Sequence, residues 1–363
     1  MESLLWSLPL DCSHPGAPGG PEFALDVSDG VVVRAEVRPG RLHRGAEKLF
    51  ASRDYRSLLV LADRHDWLSA YGSELNLAEL IERFLGIEVP LRARWLRLLL
   101  AEYTRIAHHL EWLRALAEEL GLDAQPWRRA RAEVLARLEE LSGARLHLMF
   151  CVVGGLRADA DDVWLRSVTG GLAGLQATAA AAAELAEHPR LRGLAMLNLQ
   201  DARAFATSGP VARASGVAWD VRWDQAAESL LRDHPDAPLR LVSRTDGDAR
   251  ARFQVVAEEL GVSVGAVAAC VKELDGVAGP VDVPLPRSIR LPEGHGYHAG
   301  ENPSGANGWY LKSSGGPTPA RVKLRTSAFN NAAALSRALP GTRTEDLPLA
   351  LLSFFLIPGA IDK

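Results

Sequence analysis

The strongest hydrophobic pattern runs from about Leu91 to Leu120, where Leu96, Leu99, Tyr103, Ile106, Leu110, Leu113, Ala117 and Leu120 recur in steps of three and four. That spacing lays one apolar stripe along a helix. Pro90 precedes the stretch and Gly121 stops it, the residues expected at a helix start and just past its end. Glu102, Arg105 and His109 keep the same steps and form a second strip beside the stripe. Their spacing predicts an ion pair on the helix surface with a half-buried histidine. The alternative is a polar contact inside a bundle.

Asp123 and Pro126 begin another helix, with Trp127, Val134, Leu138 and Leu141 on one face and Ser142-Gly143 at its end. An alanine-rich helix covers Asp161 to His188, closed by Pro189. Long helices with short connections predict an antiparallel bundle over residues 41–190. Ahead of it, residues 1–40 read as a small β region. Phe23–Val27 and Val31–Val37 flank Ser28-Asp29-Gly30, a hairpin signal, and Cys12–Pro21 is too rich in glycine and proline for anything but a loop.

Past the bundle the pattern is mixed over 191–290. Gly209–Arg222 predicts a loop packed between helices, Arg250–Leu274 a helix and Pro280–Pro292 a connector. In 291–363, Trp309–Lys312 and Ala320–Arg325 predict a second hairpin around Ser314-Gly315-Gly316, followed by a short helix over Ala328–Leu339. The fold class is α+β, with a central long-helix bundle between small N- and C-terminal β-hairpins.

Composition narrows the function classes. A chain of 363 residues exceeds the size at which a single core stops growing, so several regions share one. A net charge of −4 and a pI near 6.2 give no overall electrostatic reason to bind nucleic acid. Cys12, Cys151 and Cys270 form no C-x-x-C pair, so neither a disulfide framework nor a zinc or iron–sulfur cradle is expected, and no metal is assigned to this chain. Glu2 stands where a secretory signal would carry a cation. Leu347–Ile361 is apolar but interrupted by Pro348 and Pro358, and Thr169–Ala186 is mostly alanine and glycine; neither reads as a membrane span.

Two stretches carry candidate chemistry: His43-Arg44-Gly45-Ala46-Glu47-Lys48-Leu49, and Ser142–His147 running on to Gly154-Gly155-Leu156-Arg157. Each sets a cation or an imidazole beside glycines at a helix end, the layout of a site that tunes another group. The plainer reading makes Arg44 a surface ion pair with Glu47 or Glu82, and His147 a satisfied core histidine.

Taken in order, HRGAEKL, LGIEVPLRARWLRLLLAEYTRIAHHL, SGARLH with GGLRAD, ARASGVAWDVR and GWYLKSSGGPTPARVKLRTSAF resemble the 49 kDa-type (D-type) subunit of the proton-pumping NADH:quinone oxidoreductase, respiratory complex I, over nearly the whole chain. That family is related to the large subunit of nickel–iron hydrogenases, whose fold the resemblance implies here. A nickel–iron centre needs four cysteine thiolates. Asp66 and Ser69 stand where the first cysteine pair would fall, and Leu351–Lys363 has no cysteine, so hydrogen activation is excluded.

The resemblance implies a subunit with no electron carrier of its own. With a partner that holds an iron–sulfur cluster it would wall a quinone cavity, in a complex with C-type and membrane-arm subunits, peripheral on the cytoplasmic side of the cell membrane. Electrons would pass from NADH through clusters to quinone, coupled to proton translocation. Arg44 would lie against the cluster, where a fixed positive charge raises its potential. His147 would take up the proton that accompanies cluster reduction, as suits an imidazole with an ordinary pKa of about 6.5. His14, His43 and Leu77 fall on the family's cofactor-facing positions, and Glu119 on a catalytic acid.

The departures concern the quinone. The family's H-P-S-T-H-G loop is His14-Pro15-Gly16-Ala17-Pro18-Gly19 here, without the second histidine, and the head-group tyrosine is replaced by Leu77. Those two groups are how the family is thought to supply protons to the quinone. Glu119, where the family has an aspartate, then lacks its usual neighbour. His14, His65 and Tyr71 are substitute donors by position, although each reads first as a surface or loop residue. Two functions follow: the subunit of a complex I-like enzyme, or a divergent paralogue that is structural, assists assembly or serves another electron acceptor.

Overall fold

The computed structural model describes residues 2–6, 21–223, 229–232, 234 and 239–363. Strands β1 (Glu2–Trp6), β2 (Glu22–Ser28) and β3 (Val31–Arg38) form an antiparallel sheet in that order. Phe23, Leu25 and Val27 alternate into the core, and Asp29 and Gly30 turn the chain with φ of 52° and 74°. Both values are left-handed, as a two-residue hairpin with Asp-Gly requires. The predicted hairpin is therefore part of a three-stranded sheet. Most of the predicted Cys12–Pro21 loop, with His14, lies outside the described residues.

Five helices follow: α1 (Ala46–Ala51), α2 (Tyr55–His65), α3 (Ala70–Leu85), α4 (Leu91–Glu119) and α5 (Gln125–Ser142). The two-residue strands β4 (Cys151–Val152) and β5 (Gly155–Leu156) pair next. They lead into α6 (Asp162–Ala186), α7 (Leu199–Ala204), α8 (Gly209–Ala214), α9 (Ser229–Arg232) and α10 (Ala249–Gly276). A second antiparallel sheet, β6 (Gly294–Asn302), β7 (Gly305–Ser313) and β8 (Arg321–Arg325), precedes α11 (Ser327–Ala338), α12 (Leu347–Leu352) and α13 (Pro358–Ile361).

The bundle is built on α4, which packs against α5 and α10, while α10 also packs on α6. By length and composition α10 could cross a bilayer, but most of it is buried as a core helix. One apolar cluster runs from β2 to α13, so the N-terminal sheet, the bundle and the C-terminal sheet share a core.

Two departures from sequence expectation have steric causes. Gly209–Ala214 is a short buried helix, started by Pro210, where a loop was expected. The C-terminal hairpin gains β6, whose glycine content hid it. A Cβ on Gly296 would lie 2.9 Å from the Phe84 ring, and one on Gly300 1.8 Å from Asn76 Oδ1. Because α3 lies directly on this strand, bare backbone is required there and β propensity is overridden.

The polar strip of α4 is buried, so of its two readings the surface ion pair is corrected and the polar contact inside the bundle is the one observed. Of the 29 residues of α4, 22 are buried, among them Glu102, Arg105 and His109. Glu102 accepts from Arg222 NH1 at 3.1 Å and Ser263 Oγ at 2.6 Å, and Arg105 donates to the Glu301 carbonyl at 2.6 Å. Arg213 of α8 bonds Glu259 of α10 at 2.8 Å and Glu301 of β6 at 2.7 Å. Arg222 bonds Asp220 at 2.7 Å, and His109 Nε2 lies 3.4 Å from Glu259. Burial alone would raise the Glu259 carboxyl, but Arg213 and His109 pull it down to about 2.

Replacing Arg213 with Met leaves Glu259, Glu301 and Asp220 buried without their shared cation. Breaking one side of a buried pair costs about 3–5 kcal/mol. Denaturant unfolding of Arg213→Met is expected to show a loss of that order, partly recovered at lower pH as the orphaned carboxylates protonate. An unchanged midpoint would show that the network does not hold these elements together.

Candidate functional site

The C-terminal turn of α2 gathers the chemistry. Asp54 caps the start of this helix through the Arg56 and Ser57 amides, and its last residues, Asp63, Arg64 and His65, reach three different neighbours. Outward, Arg64 and His65 line a cavity of about 290 Å³ with Arg44, Leu49, Phe50 and Asp362. Sideways, Asp63 Oδ1 meets His147 Nδ1 in a very short contact. Arg64 ties the two sides: its guanidinium pairs with Asp63 at 2.9 Å and its NH2 approaches Met149 Sδ at 3.7 Å.

Arg44 is exposed, and no ion pair or hydrogen bond engages its guanidinium among the described residues. Its two expected partners are taken: Glu47 pairs with Arg321 at 3.1 Å and Lys323 at 3.3 Å, and Glu82 pairs with Arg97 at 2.6 Å. The loop bearing Arg44 is positioned from the far end of the chain, where Asp362 accepts the Gly40 and Leu42 amides, each at 2.7 Å. His147 is half-buried, its side chain 31% exposed, and is no core histidine. Arg44 and His147 thus flank one helix end.

The other sequence candidates are dispersed. His43 is exposed and lines a separate cavity of about 630 Å³ with Glu47, Lys323, Arg325, Phe329 and Lys363. Leu77 is fully buried in the core. Glu119 ends α4, half-buried; burial raises its carboxyl and Arg190 opposes that rise, and no hydrogen bond or ion pair among the described residues joins it to Arg44 or His147. His65 and Tyr71, expected on the surface, are buried. Burial, then the charges of Lys363 and Arg44, lowers the His65 imidazole from 6.5 to about 3, so it is neutral.

Asp66 and Ser69 are both buried; Asp66 accepts from Asn302 Nδ2 at 3.3 Å, and the Ser69 amide donates to the Asp66 carbonyl at 2.9 Å. Among the described residues no group of three or more His, Cys, Asp or Glu is arranged to hold a metal. Sequence reasoning passed over Asp63, Arg64, Glu74, Arg97 and Asp362. Its available signal was Asp63-Arg64-His65-Asp66, four polar residues at the end of an otherwise apolar helix.

Burial raises Asp66 from 3.8 to about 6. A raised carboxyl means the folded chain binds the proton more tightly than the unfolded one, so this group makes stability fall as pH rises from about 4 to about 6, by up to about 3 kcal/mol. His65 acts in the opposite sense, its contribution being complete above about pH 6.5 and lost as pH falls toward 3. Asp66→Asn is expected to remove the first trend only, leaving the variant more stable relative to the parent at pH 7 than at pH 4. Urea unfolding of both at the two pH values checks this.

Known proteins share this architecture. The profile described as "Respiratory-chain NADH dehydrogenase, 49 Kd subunit" matches residues 126–289 and 285–363. The chain is 41% identical over 372 residues to the second D-type subunit of NADH-quinone oxidoreductase from Streptomyces griseus, covering 100% of this chain and 93% of that one. It is 31% identical to the D-type subunit of NADH-quinone oxidoreductase from Geobacillus thermodenitrificans, covering 96% of each. Among solved structures it is similar to a chain of the membrane-bound sulfane sulfur reductase, an archaeal respiratory membrane complex, with a TM-score of 0.90 and 28% identity over 100% of this chain and 98% of that chain.

Proposed function

The chain belongs to the family of the 49 kDa subunit of respiratory-chain NADH dehydrogenase, and from that premise we propose that it is the D-type subunit of a complex I-like NADH:quinone oxidoreductase. It is a subunit of a membrane-associated oxidoreductase, inactive alone. The complex carries electrons from NADH through iron–sulfur clusters to quinone, coupled to proton translocation. This chain sits peripherally on the cytoplasmic side of the membrane, between a cluster-bearing partner, a C-type partner and the membrane arm.

The observation that carries this reading is that Arg44, whose guanidinium has no partner among the described residues, lines the cavity at the helix end that holds His147. The cluster in the partner chain supplies the electron. Arg44 supplies fixed positive charge beside it, and positive charge near such a centre raises its reduction potential. Its neighbour Arg64 adds a second guanidinium on the cavity wall. His147, partly open to solvent and backed by a carboxylate, holds the proton that balances the added electron. His65, neutral, contributes an uncharged polar lining. His14 and His43 remain the cofactor-facing positions nearest the altered N-terminal loop.

A second reading is a different electron acceptor. Leu77, apolar and fully buried, cannot donate a proton where the family has a phenol, and the similar solved structure belongs to a sulfane sulfur reductase. Glu119 remains as a carboxylate with a raised proton affinity for either acceptor.

Arg44→Met in the assembled complex is expected to lower the midpoint potential of the adjoining cluster and slow NADH:quinone turnover while the amount of complex persists, because among the described residues the side chain makes no bond to the fold. Redox titration of the membranes measures it. An unchanged potential would remove Arg44 from the cluster wall.

A further inference from the structure

On the inner side of His147 the chain places two carboxyl groups in series. Asp63 is fully buried, with Oδ1 against His147 Nδ1 and Oδ2 at 2.9 Å from the Arg64 guanidinium. Behind it lies Glu74 of α3, also fully buried and close enough to feel the Asp63 charge. The two oxygens of Glu74 accept the Met149 amide at 2.9 Å and the Cys151 amide at 3.2 Å. Met149 is left-handed, with φ of 45°. Such a conformation is strained and persists where its surroundings impose it. Here the Glu74 carboxyl imposes it, two residues after His147.

Two adjacent buried carboxyls cannot both ionise without large cost. Burial first, and the Asp63 charge second, push Glu74 well above the usual carboxylate range, so Glu74 keeps its proton. The other ionisable groups facing this pair are already settled. Arg97 of α4 is committed to Glu82 at 2.6 Å, Glu79 to His298 at 2.7 Å, and burial keeps Tyr71 and Cys151 protonated.

We propose that Asp63 is the positioning residue of His147, the first link of an inward chain His147–Asp63–Glu74 that decides which ring nitrogen gains and loses the proton. Nδ1 is held as a donor to the Asp63 carboxylate. Nε2 faces away from it and takes up the proton, forming an imidazolium whose charge is balanced by Asp63. Glu74, neutral throughout, holds the backbone that carries the ring. This inference rests on the role assigned to His147 above.

The test is a redox titration of the partner's cluster, followed by electron paramagnetic resonance in membranes containing the whole complex, across pH 5 to 9. Removing the carboxylate with Asp63→Asn is expected to shift the pH range over which the midpoint potential changes downward by about one unit or more, a tenfold or greater loss of proton affinity. Asp63→Glu is expected to restore most of the range. Glu74→Gln, neutral like the residue it replaces but with one acceptor oxygen for the two amides, is expected to shift the range by less; if Asp63→Asn does not assemble, Asp63→Ser removes the same carboxylate and is expected to show the same downward shift.

An unshifted range in Asp63→Asn, or a Glu74→Gln shift as large as that expected for Asp63→Asn, overturns the proposal. His147→Met serves as the control on the reading beneath it. If pH dependence persists without that imidazole, the assignment of His147 itself fails; if it vanishes there while Asp63→Asn is silent, only the positioning role fails.

Discussion

Three guanidinium groups and four carboxyls are buried together where α4, α8, α10 and β6 meet, and the remaining structure is arranged around that fact. Arg105, Arg213 and Arg222 face Glu102, Asp220, Glu259 and Glu301, all nearly inaccessible to water. Burying ions is expensive, and such sets add little to stability compared with apolar packing. Their effect is on uniqueness: each cation has a partner on another element, so a one-turn slip of α10 along α4 strands several charges at once. With one more acid than base, Glu301 is the member raised by burial, and its backbone also accepts from Arg105. The lattice of charges fixes how the helices register, and thereby where α2 and α3 come to lie against β6.

From that registration the site follows. Because α3 rests on the glycines of β6, the α2–α3 corner is pushed against the loop after α5, and Asp63 reaches His147 while Glu74 reaches the amides of Met149 and Cys151. Arg97 of α4 braces the same loop from beneath, bonding the Val152 and Gly155 carbonyls at 2.8 and 3.0 Å as well as Glu82. The outward-facing groups, Arg44 and His147, therefore rest on an inward layer braced by the Arg97–Glu82 pair and by the Glu74 bonds to the loop amides. An exposed cation with no partner among the described residues thus sits over a support held by buried bonds from α3 and α4.

Much of this was legible in the chain. The bounds of α4 and α6 follow from their periodicity and from Pro90, Gly121 and Pro189, because local signals decide helix ends even where burial is decided elsewhere. The polar strip of α4 shows where local reasoning stops: Glu102, Arg105 and His109 have the spacing of a surface ion pair, and only the distant Arg222, Ser263 and Glu259 reveal that they are internal. β6 was hidden because its composition answers to the helix lying on it. Of the candidate site, Arg44 and His147 could be named from their motifs, but Asp63, Glu74 and Asp362 act through contacts 75 to 322 residues apart that no pattern along the chain displays.

The clasp between Asp362 and the amides of Gly40 and Leu42 also sets an order of events during biosynthesis. The segment carrying Arg44 is made before the carboxylate that anchors it, which follows Gly40 by 322 positions. Closing so long a loop is slow relative to forming the local helices between its ends. The Arg44 segment therefore takes its final position only after the bundle and the C-terminal sheet between its two anchors have been made.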